Sequence, residues 1–375
     1  MEVGVYADFA ATTPMDKEIM EQVLEDAKEF GNPSSIHKVG KRAKEKLERS
    51  RREIAGLLNA HPSEITFTSG ATEANNLAIR GIVSRLDHPH IITTEIEHAS
   101  VLNTYETLRD VADVTYIPAT DKGTIDTGAF KAALREDTAL VSIMLVNNET
   151  GVMQPIYEIG EILSEHGAKL HVDAVQAFGH MGIDVKGLGV DLLTLSGHKI
   201  YGPKGIGVLY REKDVVLAPM ITGGSHEKGR RSGTENSLFI GAMAEAMKKA
   251  DAERTVRSIK EMQLKEKFLN NMIHAEIPFE VNGDVNQASS HIINIHFPWT
   301  DSGFLLTALD MADIYVSGGS ACSAGTVEPS HVLESMFSED ERVKKSVRFS
   351  FSHLMEEEEI DTIIEALRNI YGRLS

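Results

Sequence analysis

Seven short apolar segments recur between residues 64 and 210, and stretches with helical periodicity separate several of them. Strands that alternate with helices in this way run parallel in one sheet, and the helices pack on its faces. The alternation therefore predicts a layered α/β fold, and we place its large domain at residues 15–250. The segments are EITFTS, HIITTE, DVTYIP, ALVSIMLV, KLHVDA, DLLTLS and GIGVLY.

The pattern changes after a helical stretch around residues 242–271. Strand candidates HIINIHF, IYVSGG and SVRFSFS recur there, together with the helical stretches FLLTALDMA and EEIDTIIEALRNIYGRL. We predict a smaller α+β domain built from residues 251–375 together with residues 1–14. In the large domain, the first predicted helix places four apolar side chains on one face: Ile19, Val23, Ala27 and Phe30.

Composition narrows the class of protein. The chain carries 38 Lys and Arg against 56 Asp and Glu, a net charge of −18. Such a charge repels polyphosphates and anionic lipid, so we expect neither direct nucleic-acid binding nor a membrane partner. The single cysteine, Cys322, cannot form an intrachain disulfide and suits a reducing compartment. Because the N-terminus lacks the basic region of a signal peptide, we expect a cytoplasmic protein.

The segment SGHKIYGPKG contains Lys199 directly after the apolar run DLLTLS. Strand ends are where α/β proteins place their chemistry, although a single lysine is ordinarily a solvated surface charge. Lys199 could bind pyridoxal 5'-phosphate (PLP) if a carboxylate held the pyridine nitrogen protonated. Asp173, at the end of KLHVDA, could supply that carboxylate or serve only as a turn or capping residue. Gln176 could reach the ring hydroxyl or begin the next helix.

Two further segments suggest a cofactor site. TFTSGATEANN indicates a strand, a glycine turn and a helix start, where backbone N–H groups and the Thr72 hydroxyl could bind an anion. The alternative is that Thr72 only caps its helix. His98, in TEIEHAS, could stack on a flat cofactor and move protons, or could be a hydrogen-bonded core residue. Neither HExxH nor CxxC occurs, so we expect no metal site.

Taken together, SGATEANN, EHASV, NNETG, HVDAVQ, SGHKIYGPKG, RRSGTEN, GGSACSAG and SVRFSFS resemble the NifS/IscS-like cysteine desulfurases. These enzymes belong to the class-V aminotransferase branch of PLP fold type I, the aspartate aminotransferase-like fold. The resemblance covers essentially the whole chain, and SGGSACSAGTVEPSHVL is typical of group I, which has a long cysteine-bearing loop. It implies a homodimer that converts L-cysteine to L-alanine and leaves a persulfide on Cys322. The sulfur would pass to an iron–sulfur scaffold or a tRNA-thiolation enzyme.

The resemblance also implies a role for each matching residue. Lys199 would bind PLP covalently, Cys322 would be the nucleophile, and His98 would stack on the ring and assist proton transfer. Arg348 would bind the substrate carboxylate with its planar guanidinium, the alternative being a surface arginine on an edge strand. Asp173 would pair with the pyridine nitrogen, Gln176 would bond the ring oxygen, and Asn148 would contact both ring oxygen and substrate. The phosphate contacts would be Ala71, Thr72, Ser196, His198 and, from the neighbouring subunit, Thr234.

Two other functions remain open on the sequence alone. One is a fold-type I PLP enzyme that acts on another amino acid, such as a selenocysteine lyase or an aminotransferase. The other is a catalytically silent subunit with the same fold. The presence of Lys199, Asp173 and Cys322 counts against a silent subunit, because a decayed relative would be expected to lose at least one of them.

Overall fold

The computed structural model describes residues 4–319, 329–338 and 340–374. Within these residues, strands occur along most of the length of the chain. They are β1 (Val5–Tyr6), β2 (Ile65–Thr68), β3 (His90–Thr94), β4 (Asp113–Ile117), β5 (Thr138–Met144), β6 (Lys169–Asp173), β7 (Leu192–Ser196), β8 (Gly207–Arg211), β9 (Glu280–Val281), β10 (Ile292–His296), β11 (Ile314–Tyr315) and β12 (Ser346–Ser350).

Helices lie between most of these strands. Several begin at an Asp, Asn or Ser whose side chain accepts a first-turn N–H, the usual solution for the unpaired donors there. The helices are α1 (Lys17–Asp26), α2 (Lys38–Leu57), α3 (Ala71–Val83), α4 (Ala99–Glu106), α5 (Thr127–Ala133), α6 (Ile156–Leu163), α7 (Ser237–His274), α8 (Ser302–Asp310), α9 (His331–Phe337) and α10 (Glu357–Leu374).

A seven-stranded sheet forms the centre of the larger part, in the order β2-β8-β7-β6-β5-β3-β4. The four pairs from β7 to β4 are parallel, whereas β8 is antiparallel to both of its neighbours. Each of the seven apolar segments singled out in the sequence forms one of these strands. The predicted fold class, a mostly parallel sheet with crossover helices, is therefore confirmed.

The smaller part contains a three-stranded antiparallel sheet in the order β12-β10-β9, and β1 pairs with β11 beside it. Each of the three strand candidates of the C-terminal region forms one strand there. The two helical stretches predicted in this region form α8 and α10. This sheet places Arg348, in the middle of β12, on the side of the molecule that faces the large sheet.

The two largest hydrophobic clusters of the described residues lie one in each part. The first draws on buried residues from Ile19 to Ala250, and the second combines residues 5–9 with residues 264–367. Helix α7, 38 residues long, supplies buried side chains to both, Met243 and Met247 to the first and Phe268 to the second. The division into residues 15–250 and residues 1–14 with 251–375 stays a prediction, which this distribution supports.

The face predicted for the first helix is only partly correct. Ile19 is buried and Val23 is half-buried, but α1 ends at Asp26. Ala27 is exposed, and the side chain of Phe30 is 86% exposed. The apolar period thus continues past the point where the helix ends.

Among the described residues, no helix combines the length and the apolar composition that a bilayer crossing requires.

A buried ion pair links α2 to the loop before α7. Arg51 Nη1 donates to Glu227 Oε2 at 2.8 Å and Nη2 donates to Oε1 at 2.6 Å, and Nη1 also contacts the carbonyl oxygen of Ile65. Both side chains are nearly inaccessible, with exposed fractions of 6% and 2%. This pair holds the loop that leads to RRSGTEN against the edge of the large sheet.

We expect Arg51→Ala to lower the free energy of unfolding by about 3–5 kcal/mol, because the Glu227 carboxylate would stay buried without its counter-charge. Urea unfolding followed by circular dichroism measures the change. Arg52→Ala, at the next and exposed position of α2, is the matched control and should change stability by less than about 1 kcal/mol. Equal effects of the two substitutions would contradict the prediction.

Candidate active site

One cavity of about 530 Å³ lies at the carboxyl ends of the parallel strands. It opens where β3, β5, β6 and β7 end, the position at which open α/β sheets bind their ligands. Ten of the twelve residues predicted for the site line it: Ala71, Thr72, His98, Asn148, Asp173, Gln176, Ser196, His198, Lys199 and Arg348.

The last residue of β6, Asp173, is buried at the base of this cavity. Its Oδ1 accepts the N–H of Val175 at 3.0 Å, and its Oδ2 accepts the side-chain amide of Asn75 at 2.8 Å. Two donors, one on each oxygen, hold the carboxylate in a single orientation. The geometry suits a carboxylate that must face a protonated ring nitrogen.

Lys199 ends the single 3₁₀ turn, Gly197–Lys199, that follows β7. Its Nζ donates to the carbonyl oxygens of Ala10 and, at 2.8 Å, Ala11. The turn requires Gly197, since a Cβ at this position would lie 2.8 Å from the carbonyl oxygen of Pro203. The glycine in SGHKIYGPKG therefore lets the loop fold back and direct the lysine into the cavity.

His98 caps α4 and is half-buried beside the cavity. Its Nδ1 accepts the N–H of Ser100 at 3.1 Å, so the proton of the neutral ring is on Nε2. Burial lowers the pKa of His98, the positive charge of Lys199 lowers it further, and Asp173 opposes the shift. Because the pKa is lowered, the imidazole is neutral at neutral pH.

The start of α3 forms an anion-binding edge of the cavity. Gly70 is the N-cap, and no side chain of the described residues caps this helix, so the alternative in which Thr72 serves as a cap is wrong. The first-turn N–H groups of such a helix suit a phosphate. Gly207 on β8 makes the close approach possible, since a Cβ there would lie 2.6 Å from the carbonyl carbon of Gly70.

His198 faces this edge, and burial together with nearby Lys199 lowers its pKa to about 4. Its ring is therefore neutral and contacts the hydroxyl of Thr12 at 3.1 Å. A neutral imidazole offers one N–H at most, so at this edge His198 can contribute a hydrogen bond but no positive charge.

Arg348 lies on an edge strand as the sequence suggested, but the alternative of a surface arginine is wrong because its side chain is 2% exposed. Nη1 donates to the carbonyl oxygen of Asn148 and Nη2 to the carboxylate of Asp8, both at 2.7 Å. Its buried Nε has no hydrogen-bond partner among the described residues. A buried guanidinium whose two ends are fixed in this way, at the wall of the cavity, suits a carboxylate ligand.

The amide of Gln176 is held across the cavity base. Its Nε2 donates to the carbonyl oxygen of Ala10 at 2.9 Å, and its Oε1 faces the ring of His291 at 3.4 Å. Nε2 carries a second hydrogen that this contact leaves available. Gln176 is therefore able to donate to a ring oxygen, and its contact with a cofactor stays a prediction.

The other two predicted residues are Cys322 and Thr234. Cys322 lies outside the described residues, so its role stays a prediction. Thr234 is exposed, yet its loop is anchored at the cavity rim, where Arg231 Nε donates to Glu73 at 2.9 Å. Thr234 is therefore placed at the surface beside the anion-binding edge, and its predicted contact with a neighbouring subunit stays untested.

Sequence reasoning missed three buried polar residues around the site. Asn75 donates to Asp173, and Ser100 contacts His98. Glu149 accepts the hydroxyl of Ser330 at 2.5 Å and lies beside Gly319, so it contacts described residues on both sides of the segment that contains Cys322. The motifs SGATEANN, EHASV and NNETG contain all three, but only their better-known neighbours were assigned roles.

One group of metal-type ligands occurs among the described residues, namely His180, Glu261 and His291. The two imidazole rings are stacked 3.5 Å apart, with their planes within 6° of parallel. Nitrogen lone pairs lie in the ring planes, so two parallel rings direct them side by side and not toward one ion. His180 instead contacts Glu261, which also accepts the hydroxyl of Ser290.

The cavity residues fit PLP. Lys199 supplies an amine, Asp173 a carboxylate held by two donors, and the start of α3 an anion site whose space depends on Gly207. Ser196 and His198 stand beside that anion site. When bound, PLP supplies an electron sink for charge that develops at the substrate Cα.

Comparison with known proteins shows the family of this chain. Residues 5–363 match the family described as aminotransferase class-V. The chain belongs to this family. It is 46% identical over 99% of both chains to "Putative cysteine desulfurase IscS 1" of Bacillus subtilis. It is also 43% identical to "Cysteine desulfurase IscS" of Pectobacterium carotovorum, over all of this chain and 94% of the relative.

Solved structures give the same result for the fold. A NifS-like protein from Rickettsia africae superposes with a TM-score of 0.89 at 33% identity, covering 98% of this chain and 99% of that one. A structure titled "SspA in complex with cysteine" has a TM-score of 0.82 at 35% identity, over 92% and 98% of the chains. The predicted family, the IscS/NifS-like cysteine desulfurases, and PLP fold type I are therefore confirmed.

We expect Gly207→Ala to weaken PLP binding roughly 10- to 100-fold, because overpacking against Gly70 costs about 1–3 kcal/mol and displaces the start of α3. Titration of the apoprotein with PLP, followed by visible absorbance, measures the affinity. Gly56→Ala, in helix α2, is the matched control, because the Cβ that it introduces would meet no described atom within 4 Å. It should leave the affinity for PLP unchanged. A Gly207→Ala protein that binds PLP as tightly as wild type would refute this role.

Proposed function

We propose that this chain is a PLP-dependent cysteine desulfurase that moves the sulfur of L-cysteine onto Cys322 and releases L-alanine. The observation that carries the proposal is the convergence of Lys199, Asp173 and the buried guanidinium of Arg348 on one cavity. The match to curated cysteine desulfurases over essentially the whole chain supports the substrate and the reaction type.

Three residues of the cavity have separate roles in this reaction. Arg348 orients the substrate carboxylate with donors that are already fixed by Asp8 and Asn148. The amine of Lys199 accepts the proton from the substrate Cα, and His98 offers a proton at Nε2.

The sulfur step needs no external oxidant. The Cys322 thiolate attacks the substrate Sγ, an S–S bond forms, and the Cβ–Sγ bond breaks. The electron pair of that bond stays with the carbon skeleton, which takes up protons and leaves as L-alanine. Cysteine and a thiol thus become alanine and a persulfide with all atoms conserved.

The remaining assignments are part of the same proposal. Thr234 of the partner subunit would complete the phosphate site in a homodimer, which the surface position of its loop beside α3 supports. The persulfide would pass to an acceptor protein of iron–sulfur cluster assembly, tRNA thiolation or both. The acidic charge of the chain and its single cysteine support a cytoplasmic location.

Cys322→Ala should abolish sulfide release from L-cysteine in the presence of a reductant, while the visible PLP band remains. Lys199→Ala should lose both the band and the activity. Sulfide and alanine assays together with absorbance spectra measure these outcomes. Ser323→Ala and Lys213→Ala are the controls and should behave like wild type.

Equal rates for wild type and Cys322→Ala would exclude the persulfide. Aminotransferase activity that persists after Cys322→Ala would identify the protein as a fold-type I aminotransferase and not a desulfurase. Turnover of selenocysteine with little turnover of L-cysteine would identify a selenocysteine lyase.

Arg348→Lys should lower kcat/KM for L-cysteine by roughly 10- to 100-fold, mostly through KM, because an ammonium keeps the charge but loses the fixed fork of donors. Arg368→Lys, on the exposed face of α10, is the control and should leave kcat/KM unchanged. An unchanged KM in Arg348→Lys would place the substrate carboxylate elsewhere.

A further inference from the structure

A chain of hydrogen bonds behind the cavity joins Asp173 to His98 through Asn75 and Ser100. Asn75 lies on α3 with no exposed surface. Its Nδ2 donates to Asp173 Oδ2 at 2.8 Å and to Ser100 Oγ at 2.9 Å, so both amide hydrogens are used. The reversed amide would set its oxygen against the Asp173 carboxylate, so only the donating orientation is compatible with the contact.

The direction of donation continues to His98. The N–H of Ser100 donates to His98 Nδ1 at 3.1 Å, which shows that this nitrogen carries a lone pair. The hydroxyl of Ser100, 2.8 Å from the same nitrogen, must therefore also be a donor. Asn75 donates to Ser100, and Ser100 donates to His98.

The orientation of the Asn75 amide leaves its oxygen unsatisfied. Asn75 Oδ1 is buried and has no hydrogen-bond partner among the described residues. Leaving a buried carbonyl oxygen unpaired costs about 1–3 kcal/mol. A native interior rarely keeps an unsatisfied polar atom without a reason. Here the reason is that the amide must be oriented to donate both of its hydrogens, to Asp173 and to Ser100.

We propose that Asn75 and Ser100 are positioning residues, which together hold the Asp173 carboxylate in place and keep the proton of His98 on Nε2. The His98 ring then presents its N–H to the cavity. We call the pair Asn75 and Ser100 the relay, because it contacts both Asp173 and His98. The inference rests on the proposed function, since the reaction in the cavity is what gives the His98 proton a task.

The charged and titratable groups around His98 come from several elements. Asp173 at the end of β6 raises its pKa, whereas Lys199 after β7 and His331 on α9 lower it. His198, also after β7, lies close enough that its own pKa responds to His98. Donors on Nδ1 add to this balance because they stabilise the neutral ring, so removing one should raise the pKa of His98.

Ser100→Ala removes the hydroxyl donor and leaves the backbone N–H that His98 Nδ1 accepts as the cap of α4. We expect the His98 pKa to rise by about one unit, and the tautomer with the proton on Nδ1 to become populated. NMR of the PLP-loaded protein with ¹³C- and ¹⁵N-labelled histidine measures both quantities. A His98→Asn sample identifies the His98 signals among those of the fifteen histidines.

Three variants define the relay. Ser100→Thr keeps a hydroxyl and should restore the wild-type pKa and tautomer. Asn75→Ala removes the upstream donor and should raise the His98 pKa by less than Ser100→Ala does. Asn76→Ala is the matched control at the next position of α3, where the amide contacts Thr72 and Arg80. It should leave the pKa and the tautomer of His98 unchanged.

A Ser100→Ala protein with the wild-type His98 pKa and tautomer would overturn the proposal, as would a wild-type protein whose proton lies on Nδ1. Because the readout is the titration of one ring, it does not depend on turnover. A protein that showed these shifts but released no sulfide from L-cysteine would refute the proposed function and leave the relay standing.

Discussion

Residues 7–13, which include a turn at residues 9–11, are hydrogen-bonded to both parts of the molecule at once and line the cavity between their side chains. On one side, Ser350 on β12 donates to the carbonyl oxygen of residue 7, and Arg348 donates to the carboxylate of residue 8. On the other side, Gln176 and Lys199 donate to the carbonyl oxygens of residues 10 and 11. Backbone groups that form no regular sheet thus satisfy the polar side chains of a buried site.

This arrangement explains why the substrate and cofactor ends of the cavity come from different parts of the chain. The large sheet supplies Asp173 and Lys199 at its strand ends, and the small sheet supplies Arg348. The segment of residues 7–13 bonds to both Arg348 and Lys199, so it helps to set the distance between the group that would bind a substrate carboxylate and the lysine. A shift of this segment would move the two ends relative to each other.

The sequence predicted what depends on local pattern. Strand ends follow from short apolar runs, so Asp173 and Lys199 could be placed correctly before any contact was known. The extent of α1 could not be placed, because the apolar period continues to Phe30 after the helix has ended. Asn75 and Glu149 could not be recognised either, since their partners lie 98 and 181 residues away, and only tertiary packing brings them together.

Helix α7 carries a different consequence. One unbroken helix packs Met243 and Met247 into the first cluster and Phe268 into the second. The angle between these two faces of the helix is therefore set by the number of residues between them. Each residue advances an α-helix by about 100°, so one insertion between these positions would rotate one face by that amount relative to the other. An insertion between Met247 and Phe268 would therefore turn one of these faces away from its cluster, so the residue count of α7 is part of the architecture.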